Sequence, residues 1–585
     1  MKNLTCVVAS LLCVVSAVAG EKADPRVRTF VDPVRVVWTT ADVKGKCAVV
    51  DPAYLLKGKL GQVPEAGWDW KKAGGCKLVN AGEVPGIVLD FGRELHGGLH
   101  LAQGMTSGRD LKVRVRFGES VAETCAELGE RGACNDHAIR DCEFLLPWMG
   151  TREIGNTGFR FVRIDLLTKG TLVFDSVRAI SLMRPMKQVG AFKSSDARLN
   201  QVWETAARTV HLCCQEYLWD GIKRDRLVWM GDTHPETMGI LRVFGAASVL
   251  PESLDYMVAT TPPDRWMNTM PTYTLWWIRN LAEWYRYTGD LDYLRKHADY
   301  LEKTVDHVLS GFGKDGQWTA GNFLDWPTKH NDAAGTAGTQ GLALVTAREI
   351  LMMAEALERP ALAGKAKGMA AKLEALKPEP HGAKSAAALL ALSGLRDPKE
   401  MYAAQLGKDG HAGVSTFYGY YMLEAMSAAG ENQRALDTVR DYWGAMVDVG
   451  ATSFWEDFKI AWTNNCFHLD QVPPKVGGNN LGAPASGTVD VHGDYGEFCY
   501  KGFRHSFCHG WSCGPAAWCI EHVLGLRPLD VGCRTVEVKP FLGDLAWAEG
   551  ALPTPQGAVK VSVRKRPDGT LDVKVDAPAG VKIVR

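Results

Sequence analysis

Apolar and polar residues alternate, or gather in short apolar runs, through the first third of the chain. The clearest runs are Arg35–Trp38, Gly86–Asp90, Leu111–Phe117, Phe159–Asp165 and Thr171–Phe174, with turn residues between them. A period of two sends successive side chains to opposite faces, which is how a strand buries one side. No long helical period interrupts the series. Many short strands with Gly-rich connections predict a jelly-roll-like β-sandwich over residues 25–190.

The period changes at Phe192-Lys-Ser-Ser-Asp196. Ser195 or Asp196 can cap a helix, and Leu199, Val202, Trp203, Ala206 and Val210 then follow at helical spacing. Helical patterning continues to about Leu526. The predicted segments are 196–216, 235–249, 272–287, 291–309, 338–357, 360–376, 384–394, 398–405, 415–429, 431–448 and 510–524. About a dozen helices with no strict short repeat suit an (α/α)6 toroid better than an open solenoid. After Leu526 alternation returns in Val536–Lys539, Lys560–Arg564 and Leu571–Val575. Asp568-Gly569 between the last two is a hairpin signal. The expected organisation is a leader at 1–19, an N-terminal sandwich at 25–190, a helical toroid at 191–526 and a small C-terminal β-sandwich at 527–585.

Four long polar connections break the helical region, at 217–234, 258–271, 318–337 and 450–509. Loops of this length inside a compact domain are usually functional. In a toroid they meet at one end of the ring and build a cleft.

Composition narrows the chemistry. The 585 residues are 46% hydrophobic and 23% charged with zero formal net charge, an ordinary globular composition that needs several domains. No global basic field is available to gather nucleic acid or an anionic membrane. Leu4–Val18 is apolar and is followed by Ala17-Val18-Ala19, which reads as a cleaved secretory signal; the mature chain is expected in the periplasm or outside the cell. No other stretch reaches the ~18 apolar residues of a membrane span. Of the 15 cysteines, Cys6 and Cys13 fall in the leader. The rest are expected to be buried small hydrophobes with one or two bridges, drawn from Cys125, Cys134 and Cys142 or from Cys499, Cys508, Cys513 and Cys519. None has zinc-site spacing.

The densest charge lies in Asp220–Glu236, where Asp220, Lys223, Arg224, Asp225, Arg226, Asp232 and Glu236 surround Trp229. A second acidic loop, Gly450–Asp457, carries Glu456. Hydrolysis of a glycosidic bond needs one carboxyl group to protonate the leaving oxygen and another to act as base or nucleophile. Asp225 and Glu456 are the candidate pair. Flanking arginines would depress the pKa of Asp225, so either they point elsewhere or Asp220 or Asp232 compensates. Asp325 and the indoles Trp229, Trp266, Trp326 and Trp455 fit sugar binding, because an indole stacks on a sugar's C–H face while carboxylates hold its hydroxyls. His505 and His509 stand four apart with no Glu between them, so a structural or substrate-binding role is expected rather than a metal site. No Gly-x-Ser-x-Gly elbow is present.

In combination, these motifs resemble bacterial α-L-rhamnosidases of glycoside hydrolase family 78. They are Leu89–Glu94, the Asp220 loop, Leu275–Ile278 with Tyr287–Asp290, Asp325-Trp326, Gly450–Glu456, Ser506–Gly510 and Pro553–Pro555. The resemblance covers most of the chain after the leader. It implies an inverting exo-glycosidase that removes terminal α-L-rhamnose from a glycan or glycoside without a cofactor. It puts Asp225 at the general acid's position, where the family has Glu, with Glu236 as the other candidate. Glu456 matches the general base. Asp220, Arg224, Trp229 and Asp232 match substrate-side positions, and His509 a pocket histidine. Two other readings stay open: another exo-glycosidase on the same ring, and a carbohydrate-binding protein that has lost catalysis, which the shorter Asp keeps alive.

Overall fold

The computed structural model describes residues 23–41, 45–56, 74–104, 106–108, 110–314, 316–473 and 488–585. The expected leader at 1–19 lies outside the described residues. A helical middle stands between an N-terminal and a C-terminal β region.

The N-terminal region forms a nine-stranded sheet built on three long strands, Gly86–Gln103, Gly150–Leu166 and Gly170–Met183. The Gly86 strand pairs antiparallel with the other two, and its register shifts after Asp90 and again after Gly97. Such shifts bend a strand, and here they let one strand serve two stretches of the sheet. Leu78, Leu89, Val113, Val115, Phe117, Phe159, Ile164 and Phe174 make a separate core beneath it. All but Leu78 fall in the alternating or apolar runs read from the sequence.

The helical region starts where the pattern changes. Asp196 caps the helix Ala197–Cys213 by accepting from the amides of Arg198 and Leu199 at 2.9 and 3.1 Å. Leu199, Val202, Trp203, Ala206 and Val210 are all buried. The helix Pro271–Thr288 ends on Gly289, whose left-handed backbone (φ 71°) returns its amide to Tyr285 O. One expected helix, 235–249, is two. Thr233–Val243 ends at Gly245 (φ 80°), whose amide caps Ile240 O at 3.0 Å, and a second helix runs Val249–Thr260. The glycine stops the first helix, and the expected loop at 258–271 shortens accordingly.

The C-terminal region forms two small sheets. Trp547–Thr554, Gly557–Lys565 and Leu571–Asp576 form a meander closed by the Asp568-Gly569 turn. Its fourth strand is Ala191–Ser194, from the chain that leads into the helices. Leu526–Pro528, Thr535–Val538 and Lys582–Val584 form the other sheet. Val536, Leu552, Val561 and Val563 belong to the same hydrophobic core as the helices.

The expected disulfides do not occur. All thirteen cysteines among the described residues are free thiols. Within the local groups three sulfurs have other partners: Cys134 donates to Asp136 Oδ1 at 2.8 Å, Cys142 to Val115 O at 4.0 Å, and Cys513 to Pro235 O at 3.4 Å.

Candidate active site

A cavity of about 330 Å³ opens where the loops after several helices meet. Asp220, Asp225, Asp232 and Glu456 line it with Arg224 and Lys329. Its aromatic walls are Trp229, Tyr273, Phe323, Trp326, Tyr500 and Trp511, with Met270 and Cys499 between them. Size and lining suit a small polar ligand with an apolar face.

The 220–232 loop is held by its own backbone and by its neighbours. Asp220 and Leu227 close it: the Asp220 amide donates to Leu227 O at 3.0 Å, and the Leu227 amide donates to Asp220 Oδ1 at 2.9 Å. Between them Asp225 and Arg226 both take left-handed backbone, φ 53° and 57°. That conformation is uncommon for residues with a Cβ. It throws the two adjacent side chains in different directions. Asp225 faces the cavity, with His137 Nδ1 3.4 Å from its Oδ1. Arg226 turns away and donates to Asn156 O and His137 O at 2.9 and 2.6 Å. Arg224 is paired with Glu456 instead. Neither flanking arginine donates a hydrogen bond to Asp225, although Arg224 and Asp225 still attract each other through their charges.

Glu456 reaches the cavity from a strongly buried loop. Its amide donates to Ser506 O at 3.0 Å, and its carbonyl accepts from Thr416 Oγ1 and Trp511 Nε1 at 2.6 and 2.9 Å. Its Oε1 faces the Arg224 guanidinium, and His509 Nδ1 stands 3.8 Å from the same oxygen. Arg224 lies over the Tyr500 ring at 4.8 Å. Burial works against the guanidinium's charge, but Glu456 and Asp225 outweigh it and raise its pKa.

Two further aspartates complete the polar wall. Asp232 accepts from Tyr273 Oη at 2.9 Å and meets His509 Nε2 at 3.1 Å. Asp220 is 2% exposed. Burial pushes its carboxyl well up, and the negative charges of Asp232 and Asp225 add to the effect. A carboxyl in that setting holds its proton to higher pH than an ordinary aspartate.

Asp220, Arg224, Asp225, Trp229, Asp232, Trp326 and Glu456 therefore share one cavity. His509 stands behind it, bridging Asp232 and Glu456. His505 turns elsewhere and accepts from the Asp457 amide at 2.9 Å, so the two histidines do not face a common ion. Four other expected residues do not line the cavity. Asp325 is buried and caps the turn Trp326–Thr328 by accepting from Thr328 N and Thr328 Oγ1 at 3.2 and 2.7 Å. Trp455 is fully buried and stacks on Phe507 at 4.0 Å, because alternation along its loop points Glu456 out and Trp455 in. Glu236 lies within the helix Thr233–Val243 with neither oxygen hydrogen-bonded, sealed under Gly510. Burial above all, then Asp232 and Asp220, raises its pKa. Trp266 packs on His307 at 3.9 Å and is likewise not in the lining.

Tyr273, Phe323, Lys329, Cys499, Tyr500 and Trp511 line the cavity without having been singled out in the sequence. All but Trp511 and Tyr273 sit in the long connections flagged as functional, so loop length was their signal. His137 comes from the N-terminal region and carried none.

Comparison with known proteins gives two domain matches. Residues 187–377 match the family described as the bacterial alpha-L-rhamnosidase 6 hairpin glycosidase domain, and residues 525–584 match the bacterial alpha-L-rhamnosidase C-terminal domain. An alpha-L-rhamnosidase of Alteromonas sp. (strain LOR) is 28% identical over 140 residues, which is 24% of this chain and 12% of that protein. Among solved structures, the family 78 rhamnosidase of Bacillus sp. GL1 superposes with TM-score 0.68 at 20% identity, over 86% of this chain and 53% of that one. A rhamnosidase from Klebsiella oxytoca with rhamnose bound gives TM-score 0.63 at 20% identity, over 85% and 95%. The chain thus spans about half of the Bacillus protein and nearly all of the Klebsiella one, and at these identities it shares their fold.

Proposed function

We infer that this chain, whose helical and C-terminal segments carry the domains of bacterial α-L-rhamnosidases, is an exo-glycosidase releasing terminal α-L-rhamnose. The observation that carries this reading is the meeting of Asp225 and Glu456, from distant loops, across one aromatic-walled cavity. Asp225 gives its proton to the glycosidic oxygen as the bond to the anomeric carbon breaks, and the aglycone leaves as an alcohol. Glu456 takes a proton from water, whose oxygen bonds to the anomeric carbon from the opposite face. The product has inverted configuration, and proton exchange with solvent resets both groups. Inverting pairs stand ~6.5–9.5 Å apart to admit that water.

The other residues have matching tasks. Asp220 and Asp232 accept from sugar hydroxyls, His509 bridges Asp232 to Glu456, and Arg224 holds the base in place. Trp229 and Trp326 offer faces for stacking. The methyl group of a 6-deoxy sugar fits the apolar wall of Met270, Phe323 and Trp511. Helical hairpins closing an (α/α)6 ring would bring these loops to one end, and the long bent strands of the N-terminal region suit a sandwich that braces them. No helix among the described residues is long and apolar enough to cross a membrane. The leader-like segment at 1–19 supports a substrate met outside the cytoplasm.

The test is release of free rhamnose from an aryl α-L-rhamnoside, with the anomer of the first-formed sugar read by NMR. Activity that survives both Asp225→Asn and Glu456→Gln overturns the site, and retained configuration overturns the mechanism. One observation favours a second reading, a glycan-binding protein without catalysis: the acid position holds the shorter Asp, on left-handed backbone. Rhamnose binding with no turnover would select it.

A further inference from the structure

The first carboxylate cluster outside the cavity is not empty. Glu119, Glu123 and His492 are buried, and their ligating atoms lie within 4.8 Å of one another. The Lys223 ammonium occupies the middle. Its Nζ is 3.1 Å from Glu119 Oε2 and 2.9 Å from Glu123 Oε1, and both carboxylates are completely buried. It also donates to Phe503 O at 2.8 Å and His505 O at 2.9 Å, with His492 Nε2 at 3.4 Å. The cage itself is secured: Glu119 Oε2 accepts from the Phe507 amide at 2.7 Å, Glu123 Oε2 accepts from the Glu119 amide at 2.8 Å, and Ser120 Oγ meets His492 Nδ1 at 2.8 Å.

The three segments that meet at this ammonium are the ones that must be held together for Asp225 and Glu456 to face each other. Glu119 and Glu123 belong to the N-terminal region. Phe503 and His505 lead directly into Ser506, whose backbone grips Glu456 on both sides, and on to His509. Lys223 itself lies between Ile222, which packs on Gly158 so closely that a Cβ there would come within 2.8 Å, and Arg224, which pairs with Glu456. An ammonium presents three donors on a compact charge, and here four oxygens from separate segments converge on it.

We propose that Lys223 is a positioning residue: a built-in cation that locks the acid-bearing 220–232 loop and the base-gripping 503–509 loop onto the N-terminal region, and thereby sets the Asp225–Glu456 geometry. The proposal rests on the rhamnosidase reading for its catalytic consequence. Lys223 is not part of the cavity lining, so its removal takes no direct contact from the sugar and acts through the placement of the two loops. Misplacement of a reacting group by about 1 Å costs on the order of 100-fold in rate.

The experiment compares Lys223→Ala and Glu123→Gln with the unmutated full chain. On an aryl α-L-rhamnoside, both variants are expected to lose kcat, Lys223→Ala by roughly 100-fold, with any rise in KM the smaller effect. Ethylammonium, which can refill the cage with an N–H donor, should restore part of the kcat of Lys223→Ala, and tetramethylammonium should not. Unchanged kcat in either variant, or a loss confined to KM, overturns the proposal. So does a kcat loss that ethylammonium leaves untouched. Should Lys223→Ala fail to fold, Glu123→Gln alone decides on the same kcat criterion. Should the unmutated chain release no rhamnose, the functional reading fails by itself, and hydrogen exchange then judges the lock. In Lys223→Ala or Glu123→Gln the amides of Leu227 and Gly510, both bonded to Asp220, must exchange faster, while those of Ala197–Cys213 do not. Equal exchange overturns it.

Discussion

Two carboxyl groups, Asp225 and Glu236, compete for the acid's role, and their surroundings separate them. Asp225 faces the cavity, while Glu236 has neither oxygen hydrogen-bonded and no place in the lining. Burial and nearby aspartates raise its pKa and favour the neutral carboxyl, of which Gln is a close isostere. Glu236→Gln is expected to change kcat by no more than about threefold, whereas Asp225→Asn should cost ~10²–10⁴-fold, the usual worth of a general acid. Steady-state kinetics on one aryl rhamnoside checks both, and a collapse of kcat in Glu236→Gln would transfer the role. The candidate pair itself could be read from the sequence, because carboxylates crowded into two long loops are unusual. The direction of the arginines could not, since it depends on two left-handed residues and on the carbonyls of Asn156 and His137, far away in the chain.

At the scale of one loop or helix, burial sorts residues that look alike in the sequence. Trp229 and Trp455 both neighbour candidate carboxylates, yet Trp229 lines the cavity and Trp455 is packed on Phe507. Trp455→Ala should therefore destabilise the protein by ~3–5 kcal/mol, the cost of truncating a buried large aromatic, read as a fall in denaturation midpoint. Trp229→Ala should leave the midpoint nearly unchanged and raise KM. The reverse pattern would mean that the indoles have been assigned the wrong way round. Gly510 makes a related case. A Cβ there would stand 1.5 Å from Glu236 Oε1, and Glu236 is fully buried. Gly510→Ala is expected to destabilise strongly, and Glu236→Ala in the same chain to relieve part of that loss. Simple additivity of the two changes would refute the contact.

Across the whole molecule, buried charges tie the helices to one another and to the β regions. His522 of the last helical segment meets Glu424 at 2.7 Å. Burial works against the imidazolium, but Glu424 and Glu521 prevail and raise its pKa. A raised folded-state value means stabilisation that is complete below the unfolded histidine's ~6.5 and disappears as pH climbs through the folded value. The midpoint difference between the unmutated chain and His522→Gln should accordingly be largest in mild acid and shrink towards alkaline pH. A difference independent of pH would show that the pair is not titrating. The N-terminal region contributes at this scale too: Arg160 clamps Asp90 and donates to Gly450 O at 3.0 Å, and the Glu94 amide donates to Thr452 Oγ1 at 2.9 Å. Those bonds brace the loop that carries Glu456.

Periodicity, capping and turn chemistry are local, so the strand runs, the Asp196 cap and the Asp568-Gly569 hairpin all follow from neighbouring residues alone. The split at Gly245 is local as well, but an apolar run across it hid the break. Loop length and charge density marked where chemistry could lie. Three things depended on the tertiary structure. Lys223 and His137 gain their roles only from contacts between regions far apart in the chain. Asp325, Trp455 and Glu236 have the right residue types but are turned away from the cavity by capping, stacking and helix position. The strand Ala191–Ser194 joins a sheet whose other members come more than three hundred residues later. Side-chain direction and long-range pairing are set by packing, and no short window of sequence contains the other half of the contact.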